Sequence, residues 1–348
     1  MTTSPPTPPL LAPAPDTTHL HVRTLEGPRA HTALAVLWPE LYRDDPDATP
    51  YQSPAWLTSM ASHLPPTDQL LILVVTDDRT RPVTGLALVR RIDGQGLSRI
   101  RPLGSPWSEY VQAVGPQSAR PAAAAALRRR LEALAHDGAH VVIPDIPVDS
   151  ALGQQLATAQ WQQHDRALAR CARLTLPVDY AALPRSARKD HARRARTWVA
   201  LMTQDRVHFT RTRTREQLRS AYLDLAQLHR RRWASDAPLD LDLVLRCGAA
   251  AAFVASLSLD GQLVAAQLCL ARGRHVYSVL PAMNPEHADL APGHSLLRRL
   301  LDELHYDGYE SFDLGRTRDN PNQIAYKQQY GPIWTATLTA MSPGVERY

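Results

Sequence analysis

The sequence predicts an α+β fold of two similar units in tandem, and three observations point to it. The chain has 348 residues, more than twice the size of a common single domain. The order helix, hairpin, strand, helix, strand occurs twice along it. Between the two occurrences, PVDYAALP at 177–184 places two prolines where neither a helix nor a central strand continues easily.

Residues 1–20 are Pro-rich, with neither the basic start nor the apolar core of a signal peptide, and read as a disordered leader. The first unit is expected over 21–178. In HTALAVLWPELY the apolar residues recur at helical spacing. In YQSPAWLTSMASHL, Ser53 is the predicted N-cap and Pro54 the first helical residue. LLILVVTD and TGLALVRRI are two apolar strands joined through DDRTRP, a hairpin pattern. IRPLGSPWSEYVQAVG continues as a strand, a loop and a second short strand. AAAAALRRRLEALAHDG is a strong helix former ending in Asp-Gly, and AHVVIPDIP is the strand after it.

The second unit, expected over 179–348, follows the same order. Residues 185–201, rich in Ala and Arg, and REQLRSAYLDLAQLHRRRWA are helical by periodicity. ASLSLDGQLVAAQLCLARGRHVYSVLPAM supplies three strands, with Asp260-Gly261 as the tight turn between the first two. APGHSLLRRLLDELHYDGY is a helix and ESFDLGR a strand that runs into a Pro/Asn loop.

Composition narrows the function classes. A hydrophobic fraction of 44% and a charged fraction of 21% describe an ordinary globular protein. No apolar run approaches the roughly 20 residues of a membrane span. Cys171, Cys247 and Cys269 lie far apart with no C-x-x-C spacing, which predicts buried thiols in a reducing cytoplasm and no metal site. Walker, dinucleotide-fingerprint, H-E-x-x-H and G-x-S-x-G motifs are absent. The net charge of +5 is compatible with an anionic partner such as tRNA, a CoA phosphate or a membrane surface.

Three segments carry a family resemblance. AYLDLAQLHRRRWA ends in Arg230, Arg231, Arg232 and Trp233. ADLAPGHSLLRRLLDELHYDG opens a helix with Pro-Gly. FDLGRTRDNPNQIAYKQQYG has Asp-x-Gly-Arg followed, eleven residues on, by an aromatic-Lys pair and an aromatic-Gly. Together they resemble the GNAT acyltransferases, more specifically the tandem-domain Fem-type peptidyltransferases and CelD-type acetyltransferase-domain proteins. In the first half, GSPWSEYVQAVG is similar to the family's Gly-Ser…Ser-Asp-Tyr segment, with Glu109 where Asp is more usual. The resemblance implies two tandem GNAT-like domains, each a mixed, mainly antiparallel sheet flanked by helices, with the donor site in the second. It also implies acyl or aminoacyl transfer to an amine. The donor is acyl-CoA or, alternatively, aminoacyl-tRNA. The acceptor is an amine-bearing small molecule, a polysaccharide component or a cell-wall precursor. A non-catalytic protein that holds tRNA or a glycan on the same fold is the rival from another class.

Attack of an amine on an acyl carbon needs charge to meet the developing oxyanion and a route for the departing proton. Of 39 Lys and Arg only Lys189 and Lys327 are lysines. A compact ammonium at 327 offers what a planar guanidinium does not, so Lys327 is a catalytic candidate, with Glu109 as base or amine anchor and His294 as proton relay. Pro292, Gly293, His294 and Ser295 at a helix start, with Arg316 and Arg232, are candidates for donor phosphates; Arg316 reads equally as half of an ion pair that closes the loop. Arg185, Arg188, Lys189, Arg193 and Arg196 share a helix face suited to a tRNA backbone. Trp107, Tyr110 and Asp313 are candidate acceptor contacts. Strand alternation would place Asp313 and Gly315 on one face and Arg316 on the other.

Overall fold

A computed structural model describes residues 19–157, 161–163, 169–236, 239–248, 250–317 and 320–343. Of the leader expected over 1–20, all but the last two residues lie outside this set, as do Arg318 and Asp319 of the FDLGRTRDNPNQ segment.

The strands are β1 (His21–Glu26), β2 (Asp68–Thr76), β3 (Pro82–Ile92), β4 (Ser98–Pro102), β5 (Ala139–Pro147), β6 (Gln162–Gln163), β7 (Ala169–Thr175), β8 (Val207–Arg211), β9 (Ala252–Leu259), β10 (Gln262–Arg272), β11 (His275–Met283), β12 (Ser311–Thr317) and β13 (Ile333–Met341). They form one sheet in the order β1-β2-β3-β4-β5-β13-β7-β12-β11-β10-β9-β8, with β6 paired to β13. This corrects the expectation of two separate sheets. Each half does start alike: β1 to β4 and β8 to β11 are antiparallel ladders, each extended by one parallel strand, β5 beside β4 and β12 beside β11. The halves then exchange strands. The sheet edge of β5 is completed by β13, that of β12 by β7, and β7 and β13 pair at the centre. Periodicity identifies strands but not their partners, so this exchange has no sequence signature.

Both parallel ladders are short. Ser98–Ile100 pairs with Ala139–Val141, and His275–Tyr277 with Ser311–Asp313; beyond these three-residue stretches the strands part. A wedge opens between them in each half.

The helices are α1 (Gly27–Val36), α2 (Trp38–Arg43), α3 (Pro54–Ser62), α4 (Pro121–His136), α5 (Ala151–Leu156), α6 (Arg185–Met202), α7 (Arg215–Trp233), α8 (Leu241–Cys247), α9 (Pro292–Tyr306) and α10 (Pro321–Gln328). One apolar core, running through both halves, lies between the sheet and α1–α3, α7 and α8; on the opposite face α4 and α5 cover the first half, and α6 and α9 the second. Alternation in β2 shows the two-sided burial: Leu70, Ile72 and Val74 enter the shared core, Leu71, Leu73 and Val75 the core under α4. A strand covered on both faces has no polar side, which is why LLILVVT reads as an unbroken apolar run.

Local chemistry sets the ends as expected at α3, where the Ser53 hydroxyl accepts from the Trp56 N–H at 3.2 Å with Pro54 at the first turn. At the β9–β10 hairpin Asp260 and Gly261 have φ of 51° and 79°, as a type I′ turn requires. Two segments differ from the reading. The second short strand expected in SEYVQAVG makes only an isolated bridge, Val114 to Gly85. The Pro/Asn loop after β12 leads into α10, because Asn320 accepts from the N–H groups of Asn322 and Gln323 and Pro321 presets the first turn.

Candidate active site

The site is built where a loop of the first half meets a bulge in β12. Between Asp313 and Arg316 the β12 backbone advances three residues while β7 advances two, from Arg173 to Cys171. The extra residue breaks strict alternation, and Gly315 takes φ of 74°, a conformation that disfavours any side chain. Its lack of a side chain is also used directly: a Cβ there would lie 2.7 Å from Glu109 Oε2. The bulge turns the Arg316 N–H toward Glu109 Oε2, which accepts it at 3.1 Å.

The loop that carries Glu109 is held from beneath. Gly104 has φ of 93°, Trp56 Nε1 donates to Ser108 Oγ at 3.0 Å, and Gln52 Nε2 donates to the Tyr110 carbonyl. Tyr110 Oη donates to Asp313 Oδ2 at 2.6 Å, while Asp313 Oδ1 accepts from the Gly315 N–H at 2.7 Å. Lys327, buried on α10, donates through Nζ to the carbonyls of Gly315 at 2.7 Å and Arg316 at 3.1 Å. One loop, one bulge and one helix therefore bring Glu109, Tyr110, Asp313, Arg316 and Lys327 together from positions more than 200 residues apart.

Burial sets the electrostatics. It lifts the Glu109 carboxyl from 4.5 to about 7, aided by the nearby Asp313 charge and opposed by Arg316 and Lys327. Burial also raises Asp313, against the hydrogen bonds from Tyr110 and Gly315, and lowers Lys327, against the charges of Glu109 and Asp313. A carboxyl poised near neutrality beside a buried ammonium can accept a proton and face a developing negative charge.

The other predicted residues fall elsewhere. Arg316, expected to hold a donor phosphate, pairs its guanidinium with Asp145 of β5. This is an ion pair with a strand of the other half, not one that closes the loop after β12, and it ties the two halves together. His294 belongs to a second cluster at the start of α9. Its Nδ1 lies 2.8 Å from Tyr330 Oη, its ring centroid is 4.5 Å from that of Tyr326, and burial lowers it to about 3, so it is neutral at physiological pH. Pro292, Gly293 and Ser295 share that first turn. A Cβ added at Gly293 would meet nothing within 4 Å, so the turn opens onto free space. Arg232 lies on α7 with its guanidinium 4.7 Å from the Trp233 ring centroid. Arg185, Arg188, Lys189, Arg193 and Arg196 are all exposed on α6; Arg188 donates to the Ala181 carbonyl and Arg193 stands 3.7 Å from Asp190. Trp107 sits at the exposed tip of the Glu109 loop.

A cleft of about 410 Å³ adjoins the cluster, lined by Tyr110 and Gln112, by Asp47 and Asp149, and by Arg173, His275, Tyr277 and Thr335 of the central strands. Of the acceptor candidates, Tyr110 reaches it, Asp313 lies behind Tyr110, and Trp107 is not among its lining residues.

Sequence reasoning missed four residues. Asp145 has φ of 58°, and Pro144 beside it, a proline within an apolar strand, is the signal for an irregular turn. Arg173 faces Asp313 at 3.7 Å, and Arg194 of α6 turns inward to Gln329 at 2.8 Å, near His294. Tyr51 is buried with its hydroxyl lacking a partner among the described residues, close enough to Glu109 and Asp313 for their charges to help burial raise it. Only the fold reveals these three.

Residues 185–328 match the family model of the acetyltransferase (GNAT) domain. The structure resembles FemX over 91% of this chain and 96% of that one, at a TM-score of 0.60 and 12% identity. It resembles the C-terminal domain (DUF2156) of a putative lysylphosphatidylglycerol synthetase from Agrobacterium fabrum over 90% and 92%, at 0.57 and 15%. It resembles a tandem GNAT protein from the clavulanic acid biosynthesis pathway over 94% and 100%, at 0.51 and 16%. None of the curated proteins matches the chain in sequence. At these identities the likeness shows the fold alone.

Proposed function

Since this chain has the GNAT-superfamily fold, we propose that it is an N-acyltransferase that moves an acyl group from acyl-CoA to an amine, forming an amide. The observation that carries this reading is the convergence of Glu109 and Lys327 on the Gly315–Arg316 bulge, Glu109 accepting the Arg316 N–H and Lys327 donating to both carbonyls, with Glu109 lifted to about 7. The amine nitrogen attacks the acyl carbon, and the carbonyl π pair moves onto oxygen. Lys327, with two N–H groups fixed on Gly315 and Arg316, faces that negative charge with the third. Glu109 takes the proton from nitrogen, and collapse of the intermediate breaks the carbon–sulfur bond and releases the thiolate. The residues suited to the donor's phosphates are those around the first turn of α9, where Gly293 opens onto free space and Arg194 and Arg232 supply charge.

A second reading, aminoacyl transfer from aminoacyl-tRNA, is favoured by one observation: the five exposed cations of α6, Arg185, Arg188, Lys189, Arg193 and Arg196. Thiol release from acetyl-CoA with a panel of amines tests the first reading. Turnover that falls by roughly 10² to 10⁴ in Glu109→Gln, and is lost in Lys327→Ala, is the expected result. No thiol release, together with salt-sensitive aminoacyl-tRNA binding that acetyl-CoA does not displace and that Arg188→Ala/Lys189→Ala weakens, overturns it in favour of the second. Binding without any turnover is the signature of a non-catalytic protein.

A further inference from the structure

The cleft beside the catalytic cluster carries a cation that the chemistry above leaves unused. Arg173 lines it, and among the described lining residues it is the one Lys or Arg. Its contact with Asp313 is made through Nε at 3.7 Å, and its terminal nitrogens donate no hydrogen bond among the described residues. Asp313 thus stands beside the Nε edge of the guanidinium, and the terminal nitrogens of this cleft-lining residue remain for a ligand, the part of a planar fork that takes a carboxylate with two parallel hydrogen bonds.

The sheet supplies a ruler. Arg173 and Cys171 are two residues apart on β7, hence on one face and about 7 Å apart. Cys171 is in register with Arg316, whose N–H is held by Glu109. The strand position of Arg173 therefore lies one strand period from the backbone that Glu109 holds, which puts the cleft next to the catalytic cluster.

We infer that the acceptor is an amine that also carries a carboxylate, an amino acid, whose carboxylate Arg173 seats beside the Glu109 cluster. This rests on the acyltransferase reading for the role of Glu109 and gives that reading its substrate class. The cleft wall agrees with it. Asp47 and Asp149 are exposed around the cleft, so one carboxylate finds one cation, while a nucleotide-linked precursor with several phosphate charges meets two repelling carboxylates. Tyr277 and Thr335 beside Arg173 offer an aromatic face and a hydroxyl to the rest of the molecule.

Binding can be read without any donor. The twenty standard α-amino acids and their α-carboxamides are titrated against the full chain by ligand-observed NMR. At least one acid is expected to bind about tenfold or more tighter than its own carboxamide, the step of a charge-assisted hydrogen bond. In Arg173→Gln that preference falls to about one, and Arg173→Lys restores part of it. Carboxamides that bind as well as the acids, the absence of binding by every acid, or a folded Arg173→Gln chain that keeps the preference each overturn the inference. The acid-to-amide comparison in the unaltered protein needs no variant to fold. Turnover with amines that lack a carboxylate, indifferent to Arg173→Gln, overturns this inference and leaves the acyltransferase reading intact. Acid-selective binding with no thiol release from acetyl-CoA leaves the acceptor class standing and removes the donor.

Discussion

Replacing Glu109 by Gln separates what the residue does for the reaction from what it costs the fold. A carboxyl lifted from 4.5 to about 7 favours its neutral form in the native state, at 1.36 kcal/mol for each pH unit. The stabilisation is complete below about pH 4.5 and disappears as pH rises through about 7, to a total of about 3 kcal/mol. Glutamine stays neutral throughout and retains an oxygen for the Arg316 N–H. Relative to the wild type, Glu109→Gln is therefore near neutral in stability at pH 5 and more stable by up to about 3 kcal/mol at pH 8.5. The gain stays below that bound because Lys327 loses its counter-charge. Urea unfolding at several pH values, with the midpoint and slope read separately, measures it. A stability gap between the two proteins that does not change from pH 5 to 8.5 refutes the assignment of the titration to Glu109. An active enzyme that is less stable than its inactive isostere would show that the buried carboxyl is kept for chemistry.

Gly315→Ala places a side chain at positive φ and against Glu109, so unfolding should shift by about 1–3 kcal/mol and acyl transfer should fall with it; unchanged melting and rate would mean that the bulge is not needed. Lys327→Arg should not rescue Lys327→Ala in a turnover assay, because a planar fork cannot occupy the buried space between the Gly315 and Arg316 carbonyls, and an active Arg variant would show that charge alone suffices. Arg316→Ala removes the ion pair with Asp145 that joins the two halves and is expected to cost about 1.5–3 kcal/mol in chemical unfolding, whereas a loss below about 1 kcal/mol would place the pair among weak surface ion pairs.

The elements were legible wherever local chemistry decides them. Ser53-Pro54, Asp260-Gly261 and the Ala-rich α4 each have a cause within a few residues. The site was legible only in part. Glu109 and Lys327 stood out through a family resemblance and a rare lysine, but their meeting depends on one extra residue in β12, which no periodicity reports. Arg316 could be read from sequence as a phosphate ligand or as an ion-pair partner, because its partner Asp145 lies 171 positions away. Arg173 looked like one of many arginines until strand register set it across from Asp313.

The exchange of β7 and β13 has a consequence for how the molecule comes into being. The strand at the middle of the sheet, residues 333–341, leaves the ribosome after every other described strand. Until it does, β5 has a bare edge and the first half remains an unfinished surface. Closing the sheet joins residues almost two hundred positions apart, as Met341 pairs with Val142, a long-range contact of the kind that slows folding and exposes unpaired edges to other chains. Proteolysis or truncation inside β13 would remove the seam between the two halves rather than a tail.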